Sequence, residues 1–273
     1  MNKIYQVYQV SDSTGETLDR IFSAIKAQFS NFKSKTIHLS FTRTENQINK
    51  IIYKCKSEQN VIVLYTVVDK NLAKYLASEC KKINVPCFEV LGNLISNFSK
   101  LLEQKASRKP SGQHVLDEEY YRRIEAVQFT MGHDDGKIIS DLEKSDIILV
   151  GVSRTSKTPT SIYLANRGYR TSNIPIIPNK NLPEQLIKNP DKTCVVGLVC
   201  DSTRLSDVRR NRVHSMNEDR PGAYINERKI IDELENSKKI FKKYNWPIID
   251  VTRKSVEETA ASVIKIFDIL NSK

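Results

Sequence analysis

No stretch of this sequence approaches the length of a membrane span. Its first residues, Met1-Asn2-Lys3-Ile4-Tyr5, run straight into a strand-like segment, without the apolar core or cleavage site of a signal peptide. A membrane partner is therefore not expected, and a cytoplasmic location is. Internal repeats and low-complexity segments are also missing. The five cysteines, Cys55, Cys80, Cys87, Cys194 and Cys200, are odd in number and sit mostly in apolar segments. They lack the spacing of metal ligands, so neither a disulfide framework nor a metal cluster is expected. The formal charge of +11 invites a nucleic-acid reading. The lysines are scattered, however, no basic stripe is interleaved with aromatics, and no helix-turn-helix or RNA-binding signature appears. A solvated lysine-rich surface with sites for phosphates explains the charge as well, and no nucleic-acid partner is expected.

The stretch that organises the chain begins at Ser145. The apolar run Ile147-Ile148-Leu149-Val150 breaks at Gly151 and passes through Val152-Ser153-Arg154-Thr155-Ser156 to Lys157-Thr158-Pro159. A helix-like segment follows as far as Gly168. Strand, loop and helix in that order are what a phosphate-binding loop requires. Helix-start N–H groups point at the anion, and the helix dipole favours negative charge there. Lys157 is placed to reach the outer phosphates as a point charge, and Thr158 to put its hydroxyl on Mg²⁺. Ser156 stands where the usual pattern has a second glycine; if that position needs positive φ, the serine is strained. The plainer alternative is a βα turn capped by Ser153 or Thr155.

Before this loop, strands and helices alternate. Ile4 to Val10, Thr36 to Thr42, Val61 to Val68 and Pro86 to Leu91 read as strands. Helical stripes lie between them, one opened by a capping box of Ser13 and Glu16 and one capped by Asp69. This alternation implies right-handed βαβ units and a parallel sheet, with ligands beyond the carboxyl ends of the strands. Ser11 to Thr17 falls there and is dense in hydroxyls; it can hold a phosphate or a phosphorylated side chain, or simply cap the helix. The expected division is an α/β domain over 1–105, a linker and connecting helix over 106–140 with Ile124 and Val127 inward, and a P-loop kinase-like α/β domain over 141–273.

Three acidic positions are candidates for chemistry. Asp134 and Asp135, in His133-Asp134-Asp135-Gly136, can hold Mg²⁺ or accept a proton from a substrate hydroxyl. Taken alone, an acidic turn is the better reading of them. Asp201 ends the apolar run Cys194 to Cys200 as a magnesium-positioning aspartate does, although a helix cap begins the same way. Arg204, Arg209, Arg210 and Arg212 follow on a predicted helix, where they can neutralise a transferred phosphoryl group, belong to the surface or bind an acidic partner. Asn173 to Ile177 reads as a short strand that Pro175 confines to an edge or loop. Ser255 with Glu258 forms another capping box, before a helical stripe from Val256 to Leu270.

Taken together, five stretches resemble one family: Ser11 to Thr17, Tyr121-Arg122-Arg123-Ile124-Glu125-Ala126, His133 to Gly136, Gly151 to Pro159, and Ile249-Asp250-Val251-Thr252 with Ser255 to Ala260. It comprises the regulatory proteins of pyruvate, phosphate dikinase and phosphoenolpyruvate synthase, and the resemblance runs along nearly the whole chain. Thr155-Ser156-Lys157-Thr158 is similar to the dikinase branch, in which Ser156 is ordinary. The resemblance implies a bifunctional serine/threonine kinase and phosphorylase. It would use ADP to phosphorylate and inactivate the dikinase on a threonine, and inorganic phosphate to reverse this with release of pyrophosphate. It implies Gly151 to Thr158 on ADP, catalytic roles for Lys157, Asp134, Asp135 and, more weakly, Asp201, and Thr158 on Mg²⁺. A homodimer stays open. Rival readings are a small-molecule kinase of the shikimate or adenylate type and a non-catalytic nucleotide-sensing or RNA-binding regulator.

Overall fold

A computed structural model describes residues 3–112, 116–138, 140–188, 193–216 and 224–272. It divides into two compact units, Met1–Val115 and Leu116–Lys273. No described helix is long and apolar enough to cross a membrane.

The first unit alternates β1 (Ile4–Ser11), α1 (Glu16–Lys26), β2 (Lys33–Leu39), α2 (Glu45–Ser57), β3 (Val61–Thr66), α3 (Lys70–Lys82), β4 (Cys87–Glu89) and α4 (Gly92–Leu101). Its sheet is wholly parallel in the order β2-β1-β3-β4. Central β1 and β3 bury Tyr8, Val10, Val63 and Tyr65 against Ile48, Leu76 and Cys80 from the helices. Each fully buried aliphatic side chain contributes about 1.5–3 kcal/mol. Asp69 caps α3 by accepting the Leu72 N–H at 2.8 Å, as its position predicts. The Ser13–Glu16 capping box does not form. Gly15 takes φ 93° and starts α1 with no side-chain cap, while Ser13 bonds instead with Ser111.

The second unit holds α5 (Glu118–Gly132), β5 (Ile147–Gly151), α6 (Lys157–Ala165), β6 (Thr171–Pro175), α7 (Glu184–Lys188), β7 (Cys194–Val199), α8 (Ser202–Met216), α9 (Glu227–Lys243), β8 (Ile248–Asp250) and α10 (Val256–Asn271). Its sheet is also parallel, in the order β6-β5-β7-β8. All five residues of β5 are buried, because strands flank it on both sides; this accounts for its unbroken apolar run. β6 is an edge strand, which reconciles Pro175 with sheet pairing. The Ser255–Glu258 capping box forms at the start of α10.

The segment 106–140, expected as a linker and connecting helix, is shared between the units. Arg108 and Ser111 bond back to Val68, Ser96 and Ser13 in the first unit. Residues 113–115 and 139 lie outside the described set. α5 packs on α6 and β6 in the second unit. Its inward face is in part the one expected: Val127 is half-buried, but Ile124 is not. Ala126 and Thr130 are buried and Ile124 is exposed, because the Thr130 hydroxyl oxygen accepts the N–H of Thr171 at 3.0 Å and draws the small-residue face onto the strand.

Candidate active site

β5 delivers the chain to the carboxyl edge of its sheet at Gly151. A Cβ there would sit 2.7 Å from the Leu198 carbonyl oxygen and 2.7 Å from Thr155 Oγ1, so only glycine fits. Beyond it the loop coils back on itself. Thr155 Oγ1 and Lys157 Nζ both donate to the Val152 carbonyl, at 2.9 and 3.0 Å. Arg154 and Ser156 take φ of 71° and 60°, so the strain expected at Ser156 is present. Ser156 starts α6 without any side-chain cap, which removes the reading of this segment as a capped turn. Among the described residues, the N–H groups of Ser153 to Thr158 donate to no protein acceptor. A run of unspent donors at the start of a helix is an anion cradle.

Lys157 is 4% exposed, and burial lowers its ammonium to about 8, partly offset by the nearby carboxylates of Asp135 and Asp134. A buried cation beside unpaired amides is short of negative charge, and a diphosphate supplies it.

The acidic turn comes to the same place. Thr158 Oγ1 donates to Asp134 Oδ1 at 2.9 Å. Asn173, fully buried on β6, donates its amide to the same carboxylate and accepts the Asp135 N–H on Oδ1 at 2.9 Å. It thereby holds Asp135 at φ 53°, with the Asp135 side chain exposed. His133, just before the turn, is buried, stacks on Phe129 and bonds through Nδ1 to the Phe129 carbonyl. Asp134, Asp135, Lys157 and Thr158 therefore form one cluster. Sequence reasoning missed Asn173 as a site residue. Its signal was the polar run Thr171-Ser172-Asn173 inside a strand, all three residues fully buried.

Asp201 is used differently. Its Oδ1 accepts the N–H groups of Thr203 and Arg204 at 2.9 and 3.2 Å, and its own N–H donates to Thr252 Oγ1 at 2.8 Å. These bonds make it the cap of α8, and none of them leads to the loop.

Of the four arginines, Arg209 enters the site from α8. It is 1% exposed and donates to the Ser153 carbonyl at 3.3 Å, the Tyr224 carbonyl at 3.2 Å and Glu233 Oε2 at 2.6 Å. Its guanidinium lies 4.7 Å from the Tyr224 ring centroid. The Tyr224 hydroxyl in turn meets Ser153 Oγ and Arg154 Nε at 3.3 and 3.4 Å. Beside the loop opens a cavity of about 670 Å³, walled by Val152, Ile176, Pro178, Tyr224, Lys229 and Glu233 among others. That volume lies within the roughly 300–1,000 Å³ range of small-ligand pockets. Its wall begins at Val152, inside the loop itself.

For Mg²⁺, the donors present are the Thr158 hydroxyl and the Asp134 and Asp135 carboxylates. Among the described residues no group of three or more His, Cys, Asp or Glu side chains is arranged to hold a metal. One or two carboxylates completed by substrate phosphates suit magnesium, so the residues fit this ion.

A family model described as kinase/pyrophosphorylase matches residues 7–264. A protein of Pelagibacter ubique (strain HTCC1062) named as a pyruvate, phosphate dikinase regulatory protein is 60% identical over 98% of this chain and 98% of its own length. Proteins of the same name from Chelativorans sp. (strain BNC1) and Sinorhizobium medicae (strain WSM419) are 44% and 43% identical, each over 96% of both chains. Among solved structures, a FolD dehydrogenase/cyclohydrolase from Campylobacter jejuni covers 100% of this chain and 89% of its own at 16% identity. Its TM-score is only 0.20.

Proposed function

The chain belongs to the kinase/pyrophosphorylase family, and from that premise we propose that it is a bifunctional regulator of pyruvate, phosphate dikinase. In one direction it transfers the β-phosphoryl group of ADP to a threonine of the dikinase, inactivating it. In the other, inorganic phosphate takes the phosphoryl group off the phosphothreonine, which restores the dikinase and releases pyrophosphate. The names of the relatives support the partner. The observation that carries the chemistry is the run of unspent N–H groups from Ser153 to Thr158, closed over a buried Lys157 and joined to Asp134 through Thr158.

In this reading the loop amides grip the two phosphates of ADP while the nucleoside lies in the adjoining cavity. The threonine oxygen bonds to the β-phosphorus as the bridging oxygen leaves on AMP. Such transfers depend on positioning and charge neutralisation. Lys157 neutralises charge on the transferred group. Asp134 is engaged by Thr158 and Asn173, so it fixes the loop. Asp135, exposed and held by its backbone to Asn173, orients the threonine hydroxyl and takes its proton. Magnesium, when bound at Thr158 and Asp134, supplies further positive charge at the phosphates.

The test is incubation with purified dikinase and ADP, then with phosphate, following the threonine by mass spectrometry. The reading expects a gain of one phosphoryl group followed by its loss. An unmodified threonine after the first step rejects it.

A further inference from the structure

The two sheets share one strand order, with the first strand of each unit lying between its second and third. In such a sheet the binding crevice opens at the carboxyl end of that first strand, where the connections depart to opposite sides. In the second unit this is Gly151 to Thr158. In the first unit it is Ser11 to Thr17, which the phosphoryl-transfer reading does not use.

A cavity of about 170 Å³ opens there. Five hydroxyl-bearing residues line it, Ser11, Ser13, Thr17, Thr66 and Ser111, together with Lys109. Ser11 is 3% exposed, and its Oγ accepts from the Ser13 N–H at 3.1 Å and from Thr66 Oγ1 at 3.2 Å. Both bonds use its lone pairs, so neither consumes its own proton. Arg43 stands behind the wall. Its Nη2 donates to Ser111 Oγ at 3.2 Å, which donates to Ser13 Oγ at 3.1 Å, and its Nε holds the Asp12 carbonyl at 2.9 Å. The Asp12 carboxylate also lines the cavity, with Oδ2 accepting the Val68 N–H at 2.8 Å. Asp69 adds a second carboxylate beside Asp12, and Lys109, Arg43 and Arg108, whose Nη1 donates to the Val68 carbonyl at 3.1 Å, together outweigh the two. Hydroxyl groups, Lys109 at the cavity, the arginines behind it and an uncapped helix start at Gly15 match the lone pairs of a tetrahedral oxyanion.

We propose that this cavity binds a single phosphoryl oxyanion, either as free inorganic phosphate or as the phosphate of a phosphorylated side chain. Its volume is below the roughly 300 Å³ at which small-ligand pockets begin, so a nucleotide is excluded by size. The binding stands on the first unit alone. A part for it in the phosphate-dependent direction rests on the function proposed above.

The experiment titrates the full chain carrying Lys157→Met, in which the loop is disabled, with inorganic phosphate by calorimetry. Phosphate binding is expected to persist, and adding Lys109→Gln or Ser13→Ala is expected to weaken it about tenfold each. Competition by free phosphothreonine assigns the site to a phosphorylated side chain, and its absence assigns it to free phosphate. Loss of all phosphate binding in the Lys157→Met chain overturns the proposal, as does an affinity that neither added substitution moves. If Lys157→Met does not fold, the same variants are titrated in the wild-type background saturated with ADP. ADP affinity, read separately on Lys157→Met, tests the loop, so failure of one site is not mistaken for failure of the other.

Discussion

Thr158 Oγ1 and Asp134 Oδ1 lie 2.9 Å apart and join the end of the anion cradle to an acidic turn 24 residues upstream. Asn173 locks that junction by bonding the Asp134 carboxylate and the Asp135 N–H at once. Asn173→Ala removes both bonds and leaves the loop amides untouched. Misplacing a reacting group by about 1 Å costs on the order of 10²-fold. The expected result is a fall of about that size in kcat for phosphoryl transfer, with ADP affinity within about threefold of wild type. Steady-state kinetics beside ADP titration separates the two.

Lys157 gives the site a pH dependence whose sign follows from its burial. Its ammonium is lowered from 10.5 to about 8, so it is charged below that pH and neutral above it. A diphosphate stabilises the charged form. ADP affinity should therefore be flat below pH 8 and fall as pH rises past it, by up to about tenfold per unit. Lys157→Met should abolish this slope. Between about 8 and 10.5 the unfolded chain holds more protons at this residue than the folded one. The Lys157 contribution to stability accordingly rises with pH through that window, which urea denaturation of wild type and Lys157→Met can follow.

Arg209 and Glu233 form a pair at 2.6 Å, with side chains 1% and 17% exposed. Removing one partner of a buried pair leaves the other charge uncompensated, at a cost of about 3–5 kcal/mol. Glu233→Ala should lose about 3 kcal/mol in urea denaturation, since Glu233 keeps some contact with water. It should also weaken ADP binding, because Arg209 holds the Ser153 carbonyl. Arg209→Lys should weaken both properties as well, since one ammonium cannot span Ser153, Tyr224 and Glu233.

How much of this was legible in the sequence depended on whether a pattern was local. The loop, the Asp69 cap and the Ser255–Glu258 box were readable because their partners lie within a few residues. The Ser13–Glu16 box has the same local pattern but did not form, because Gly15 takes a left-handed conformation and Ser111, 98 residues away, takes up the Ser13 hydroxyl. Asp134 was visible only as one half of an acidic turn, since its partners Thr158 and Asn173 lie 24 and 39 residues downstream. Arg209 was one of four arginines in sequence, and only packing shows which of them is buried. Asp201 had two readings of equal spacing, and the N–H groups of α8 select the cap.

Two substitutions in the loop should move in opposite directions. Gly151→Ala drives a Cβ to 2.7 Å from a backbone carbonyl and should abolish ADP binding by displacing the loop. Ser156→Gly relieves a residue at φ 60° and should stabilise the chain by up to about 1 kcal/mol while keeping ADP binding. Thermal unfolding with and without ADP reads both.

The most direct measurement follows radiolabel from ADP carrying ³²P at its β position, incubated with purified dikinase and this chain. The account predicts label on the dikinase threonine, AMP formed in equal amount, and a fall of at least about 10²-fold with Lys157→Ala. Label that stays on nucleotide, or transfer at an undiminished rate by Lys157→Ala, contradicts it.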